Sequence, residues 1–294
     1  MTYIIGGHKV TVNLYCGDGM LDRLLPSFSS FKSEECGEQL FTLDVCKTLD
    51  AIDSDECRLI REVDTGNGIT RVSKLKDGGY QFNVRNVDGV ECALIICNAE
   101  FDKCRCSLSG TLPMMRFALN NTLMLVYAFS AAKHDTLLVH ASVVRHNGVA
   151  YAFTAKSGTG KSTQVANWLR NIEGCDMVND DNPIFRFIDG KAMLFGSPWS
   201  GKTPCYRNIV VPLAALMMIK RDERNYVKEQ SPIMAFSTLL TACSAMKWDE
   251  ALFENVCGTV SKIVENIKVA ELHCLPNAES AFVCREYLEN DTTD

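Results

Sequence analysis

Val149-Ala150-Tyr151-Ala152-Phe153-Thr154, followed by Ala155-Lys156-Ser157-Gly158-Thr159-Gly160-Lys161-Ser162 and then Thr163-Gln164-Val165-Ala166-Asn167-Trp168-Leu169-Arg170, reads as an apolar strand, a glycine-rich turn and a helix. The turn fits the phosphate-binding pattern G-x-x-x-x-G-K-[ST] at every demanding position except the first, where Ala155 replaces Gly. That first position mainly sets the entry turn, so the replacement is tolerable. Gly158 and Gly160 let the chain curl until successive N–H groups face one point, and the helix N-terminus adds a partial positive charge there. The pattern therefore predicts phosphate contacts from Ser157, Gly158, Thr159, Gly160, Lys161, Ser162 and Thr163. Lys161 would reach the outer phosphates, and the Ser162 hydroxyl would sit on a divalent cation. The plain alternative is a Gly/Ser/Thr-rich surface turn.

The flanks narrow this reading. Upstream, Thr136 to Val144 and the strand before the loop are separated by Arg145-His146-Asn147-Gly148, and Asn-Gly between apolar runs predicts a hairpin. His140 falls inside the first of these strands, either as a hydrogen-bonded core histidine or as a site residue. Downstream, Cys175-Asp176-Met177-Val178-Asn179-Asp180-Asp181-Asn182 is a short apolar strand ending in paired carboxylates, with Asp180 nineteen residues after Lys161. Enzymes with such a loop place a metal-binding acid there. One carboxylate of the pair can hold Mg²⁺ while the other takes a proton from a nucleophile. An ordinary Asp-Asp-Asn-Pro turn is the alternative. A second hairpin about Asp189-Gly190 delivers the long stretch Gly196 to Asn208, where Lys202 and Arg207 are candidates to neutralise phosphoryl oxygens. Trp199 and Tyr206 could wall a base or acceptor.

Composition bounds the rest. A chain of 294 residues with 47% hydrophobic and 22% charged residues has room for two folded domains. A net charge of −6 argues against broad binding to nucleic acid or an anionic membrane surface. No apolar run is long enough to span a bilayer, and Met1 to Gly7 lacks a leader pattern, so the expected location is the cytoplasm. The 14 cysteines are dispersed through apolar segments and read mostly as small buried hydrophobes. Residues 1–110 predict a small antiparallel sheet domain, with strands at His8–Tyr15, Arg58–Val63, Thr70–Leu75, Tyr80–Val87 and Val90–Cys97. Residues 111–294 predict the α/β nucleotide domain, entered through a helix that starts at Pro113.

His140, the hairpin, Ala155 to Ser162 and Asn179-Asp180-Asp181-Asn182 occur in an order and spacing that resembles the C-terminal catalytic domain of HPr kinase/phosphorylase. The Ser-Gly-Thr-Gly-Lys-Ser core is also similar to the loop of ATP-dependent phosphoenolpyruvate carboxykinase. His-Ala-Ser, Asn-Asp-Asp-Asn-Pro and Gly-Ser-Pro-Trp-Ser-Gly-Lys-Thr-Pro-Cys-Tyr-Arg-Asn resemble a set of gut-bacterial proteins of this kinase-like superfamily. The resemblance covers roughly residues 136–290. It implies a mixed-sheet domain and transfer of a phosphoryl group from ATP to a hydroxyl of a small molecule, peptide or protein. In that mapping Lys161 and Ser162 bind phosphates and Mg²⁺, Asp180 is the acid/base carboxylate, Asp181 assists the metal and His140 tunes Asp180. Thr163 stands where HPr kinase has Glu, and the Gly-rich signature after the paired Asp is absent, so the resemblance does not extend to HPr as acceptor. It also implies self-association, since HPr kinase relatives assemble into rings. Two other functions stay open: a nucleotide-binding sensor or partner-binding protein without efficient transfer, and a carboxykinase-like lyase.

Overall fold

A computed structural model describes residues 1–34, 38–64, 68–156 and 158–290. The chain divides into two units, Met1–Ala131 and Ala132–Asp294.

The first unit comprises β1 (Thr2–Ile5), β2 (His8–Leu14), α1 (Asp18–Leu24), β3 (Gln39–Cys46), β4 (Cys57–Asp64), β5 (Gly68–Leu75), β6 (Tyr80–Asn86), β7 (Glu91–Cys97), β8 (Lys103–Leu108) and α2 (Leu112–Ala131). Its eight strands lie in the order β1-β2-β3-β8-β7-β6-β5-β4. From β4 to β8 the sheet is the run of antiparallel hairpins that the turn residues predict. The expectation of a wholly antiparallel sheet does not hold, because β3 lies between β2 and β8 and runs parallel to both. Parallel pairing needs a crossover, here the segment containing α1, and so no local turn signal announces it. The helix expected from Pro113 is present as α2. It buries Ala118, Leu119, Leu123, Val126 and Tyr127, and the Tyr127 hydroxyl donates to the Ile5 carbonyl at 3.1 Å. The observed division thus falls after this helix rather than before it.

The second unit comprises β9 (Thr136–Leu138), β10 (Ser142–His146), β11 (Val149–Thr154), α3 (Lys161–Asn171), β12 (Asp176–Asn179), β13 (Ile184–Ile188), β14 (Lys191–Phe195), β15 (Val210–Arg221), β16 (Tyr226–Glu229), α4 (Pro232–Ala242), α5 (Glu250–Val264), β17 (Lys268–Cys274) and α6 (Ala278–Glu289). The sheet runs β12-β10-β11-β15-β14-β13-β9, with β17 also on β15 and β16 on β17. β15 is parallel to β11 and β17 and antiparallel to β14, so this sheet is mixed as well. The β10–β11 hairpin turns at Asn147 (φ 51°) and Gly148 (φ 79°), the left-handed pair that a two-residue connection requires.

Alternation along β11 fixes which helices cover which face. Ala150 and Ala152 enter a core with Leu239 of α4 and Val260 and Ile263 of α5. Tyr151 and Phe153 point the other way, into a core with Val165 and Trp168 of α3 and Cys284 and Leu288 of α6. Trp168 is fully buried, its ring centred 5.3 Å from Tyr151 and 5.8 Å from Phe153. The helix that follows the glycine-rich loop is therefore pinned to the strand that precedes it. A polar lock adds to this, since Gln164 and Ser280 of α6 exchange hydrogen bonds of 3.2 and 2.8 Å.

One expected element is broken. The strand predicted through residues 136–144 is two strands, β9 on β13 and β10 between β11 and β12. His140 sits in the break, not in a strand interior. Its N–H donates to the Ala242 carbonyl at 2.8 Å, and the next N–H, of Ala141, donates to the Asp181 carbonyl at 3.0 Å. These long-range partners, which apolar periodicity cannot reveal, split the run.

Gly196 closes β14, its N–H donating to the Ile209 carbonyl at 3.0 Å. A Cβ at this position would lie 1.9 Å from the Arg207 carbonyl oxygen. Gly196→Ala is expected to cost about 2–3 kcal/mol of stability, because relief requires a backbone shift. A denaturant midpoint equal to that of the parent would show that the segment 207–209 yields freely. Among the described residues no helix is long and apolar enough to cross a membrane.

Candidate functional site

Gly158 (φ 74°) and Gly160 (φ 134°) take up backbone conformations that L side chains rarely adopt, which is why the turn needs glycine at those two points. Gly160 is the N-cap of α3 and has no side chain to satisfy the first-turn N–H groups. Such a helix start favours an anion. Thr159 N–H donates to the Lys156 carbonyl at 3.0 Å. The Arg221 guanidinium at the end of β15 donates to the Thr159 carbonyl at 3.2 Å and to the Gly158 carbonyl, holding the loop from outside. Ser157, one of the expected phosphate contacts, lies outside the described residues. Ser162 and Thr163 are exposed on the first turn of α3, and Lys161 is half-buried.

At the head of the loop three expected site residues converge. Lys161 Nζ is 2.7 Å from His140 Nε2, and the same nitrogen is 3.2 Å from Asp181 Oδ1. One ring nitrogen cannot serve both partners at once. Unprotonated, it accepts from Lys161; protonated, it donates to Asp181. Burial pulls the Lys161 amine below its ordinary range, with Asp181 and Asp180 opposing. Burial pushes the Asp181 carboxyl up, but His140, Lys161 and the Asn182 amide together hold it below the usual carboxylate range.

Asn179 builds the turn that presents the two acids. Buried at the end of β12, it accepts at Oδ1 from the N–H groups of Asp181 and Asn182, both at 2.9 Å. Its amide donates to Ser197 Oγ and to the Trp199 carbonyl, both at 3.1 Å. The Asp-Asp-Asn turn and the acid pair are thus one structure. Asp180 is only 3% exposed. Its Oδ2 accepts from the Thr203 N–H at 3.0 Å, and the Ser142 hydroxyl lies 2.8 Å from its carbonyl and 3.3 Å from its Oδ1. Gly201 packs against both acids, where a Cβ would come within 3.2 Å of Asp180 Oδ2 and of Asp181 Cβ.

The long loop divides its expected roles. Lys202 is exposed between Gly201 and Thr203, the two residues in contact with Asp180. Arg207 lies elsewhere, donating to Asp176 Oδ2 at 2.7 Å and to the Met177 carbonyl at 2.5 Å. That is the start of β12, the opposite end from Asp180. Arg145 joins it there, with bonds of 2.9 and 2.6 Å to the two oxygens of Asp176. Trp199 is buried and Tyr206 is 37% exposed. Nothing in the sequence marks Asp176 beyond its place in the strand, because its two arginine partners are both thirty-one residues away.

Burial pushes the Asp176 carboxyl up, but the Arg145 and Arg207 hydrogen bonds and charges leave it below the ordinary range. A depressed folded-state value stabilises the protein above the unfolded Asp value of about 3.9, and the contribution fades as pH falls through the folded value. Asp176→Asn is expected to lower the urea midpoint at neutral pH and to make its decline below about pH 4 shallower. Parallel acid limbs for the two proteins would show that the cluster contributes nothing measurable.

Among the described residues no group of three or more His, Cys, Asp or Glu side chains is arranged to hold a metal by itself. Asp181 and the exposed Ser162 carry oxygen donors, the ligand type that Mg²⁺ takes together with phosphate oxygens and waters. No family model and no curated protein matches the chain. Among solved structures it is similar to the Hpr(Ser) kinase/phosphatase from Coxiella burnetii, at 12% identity and a TM-score of 0.31, over 52% of this chain and 94% of that one. A likeness of this degree carries no argument about activity, which has to be read from the residues.

Proposed function

We propose that the second unit binds ATP with Mg²⁺ and transfers the terminal phosphoryl group to a hydroxyl of a small molecule, peptide or protein. The observation that supports this is the meeting of Lys161, His140 and Asp181 within 2.7 and 3.2 Å at the head of the glycine-rich loop, with Asp180 buried beside them. The loop N–H groups and the first turn of α3, including Thr163, hold the phosphates. Lys161 leaves His140 for the terminal phosphate, and the freed ring nitrogen, on taking a proton from water, donates to Asp181. Asp181 and Ser162 would hold Mg²⁺, which supplies positive charge against the phosphoryl oxygens. Asp180, fixed by Thr203 and Ser142, takes the proton of the acceptor hydroxyl as its oxygen bonds to phosphorus and the bond to the ADP oxygen breaks. Lys202, on the exposed stretch beside Asp180, would meet an anionic acceptor or a phosphoryl oxygen.

The protein supplies mainly positioning and charge, as phosphoryl transfer requires. Calorimetric titration with MgATP, followed by an acceptor panel with ADP release as the readout, tests the proposal. Absence of MgATP binding would overturn it. Binding without turnover across the panel would identify a nucleotide sensor instead.

A further inference from the structure

A pocket of about 420 Å³ lies against the glycine-rich loop, within the size range of small-molecule sites. Gly158, Gly160 and Thr163 form one side, and Ile219, Leu275 and Pro276 give it an apolar wall. Neither Lys161, His140, Asp180 nor Asp181 lines it, so it opens at the end of the loop away from the acid pair. If the nucleotide reading above holds, on which this inference rests, a terminal phosphate at Lys161 leaves the nucleoside at this pocket.

Asp222 is the acidic residue of the pocket lining, and it is held in place with unusual care. Its Oδ2 accepts from His273 Nδ1 at 3.0 Å and from the Tyr226 hydroxyl at 3.1 Å. The other ring nitrogen of His273 is 3.0 Å from Glu271 Oε2, and the Tyr226 ring stacks on the imidazole at 4.5 Å and 11°. Asp222 Oδ1 accepts from the Glu223 N–H at 2.7 Å, which leaves that oxygen acceptor capacity. The His273 hydrogen bond, ahead of the backbone N–H groups, holds the carboxyl below the ordinary range, so it is an acceptor at neutral pH. An apolar wall with a fixed carboxylate in the same lining suits a flat base joined to a diol.

We infer that this pocket receives the nucleoside and that Asp222 accepts a hydrogen bond from a ribose hydroxyl, so that it sets a preference for ribonucleotides over deoxyribonucleotides. A site built to bond a hydroxyl discriminates against the analogue that lacks it. His273 acts here as a positioning residue.

The test is calorimetry on the full chain with the magnesium complexes of ATP, 2′-deoxy-ATP, 3′-deoxy-ATP and inorganic tripolyphosphate. ATP is expected to bind more tightly than tripolyphosphate, and at least one deoxynucleotide about tenfold more weakly than ATP, the size of one hydrogen bond to a charged group. Asp222→Asn is expected to weaken ATP by a similar factor, to narrow the gap between ATP and the deoxynucleotide, and to leave tripolyphosphate unchanged. Equal affinities for ATP and both deoxynucleotides would overturn the inference, as would a variant that binds all four ligands like the parent. ATP binding no tighter than tripolyphosphate would overturn the nucleoside pocket itself. Failure of all four to bind would sink the nucleotide reading and this inference with it.

Discussion

Lys161→Ala is expected to weaken MgATP binding by roughly 10- to 100-fold, the span of about 1.5–3 kcal/mol for hydrogen bonds to charged groups. The size follows from the setting of this amine. It is half-buried, and at rest it is 2.7 Å from a histidine nitrogen rather than bonded to a carboxylate oxygen. A phosphate therefore offers a partner stronger than the one it gives up. The truncation also leaves His140 Nε2 with Asp181 as its remaining close partner in this cluster, so little else in the fold depends on the amine. Calorimetry reads the loss directly, and the unfolding midpoint serves as the control. An unchanged dissociation constant would rule out Lys161 as a phosphate ligand.

Asp180→Asn is expected to cut turnover by about 10²- to 10⁴-fold, the usual worth of a positioned general base, while the affinity for MgATP changes by less than about threefold, under 0.7 kcal/mol. The variant keeps the local bonds. An amide can turn its carbonyl toward the Thr203 N–H, which now meets Oδ2 at 3.0 Å, and its NH₂ toward the Ser142 oxygen. Shape and turn survive, and what is lost is the capacity to accept a proton. Turnover within a few-fold of the parent would remove Asp180 from the role of base. A parallel fall in nucleotide affinity would recast it as part of the phosphate or metal site.

The parts of this arrangement that are legible in the sequence are local ones. The β10–β11 hairpin is signalled by Asn147-Gly148, and the strand–turn–helix at the loop by Gly158, Gly160 and the apolar spacing that ends at Trp168. The acid pair is legible as a pair because Asp180 and Asp181 are adjacent. What is not legible is what long-range pairing decides. Arg207 has the right charge for a phosphoryl group, yet Asp176, thirty-one residues earlier, holds it at the wrong end of β12. Arg221 steadies the loop across sixty-two residues of sequence through carbonyl groups that no motif encodes. Ser142 and Thr203 touch Asp180 from separate segments and look unremarkable in both. His273, which has no neighbouring motif to mark it, is fixed by two carboxylates, one of them from the turn after β15. β3 is not legible for a related reason, since its parallel neighbours come from either side of a long excursion.

The break at His140 has a bearing on how such a site can change. Val139 and Ala141 donate their N–H groups to the carbonyls of Pro183 and Asp181, so residues 139–141 and 181–183 act as a rivet where two portions of the sheet meet. His140 and Asp181 face each other because of that rivet, with the His140 N–H tied in addition to the Ala242 carbonyl at the end of α4. Sliding either segment by one residue would reverse its side chains and part the histidine from the carboxylate. Insertions in the surrounding loops are free to reshape what the protein acts on, whereas insertions within these six residues would erase the meeting point altogether.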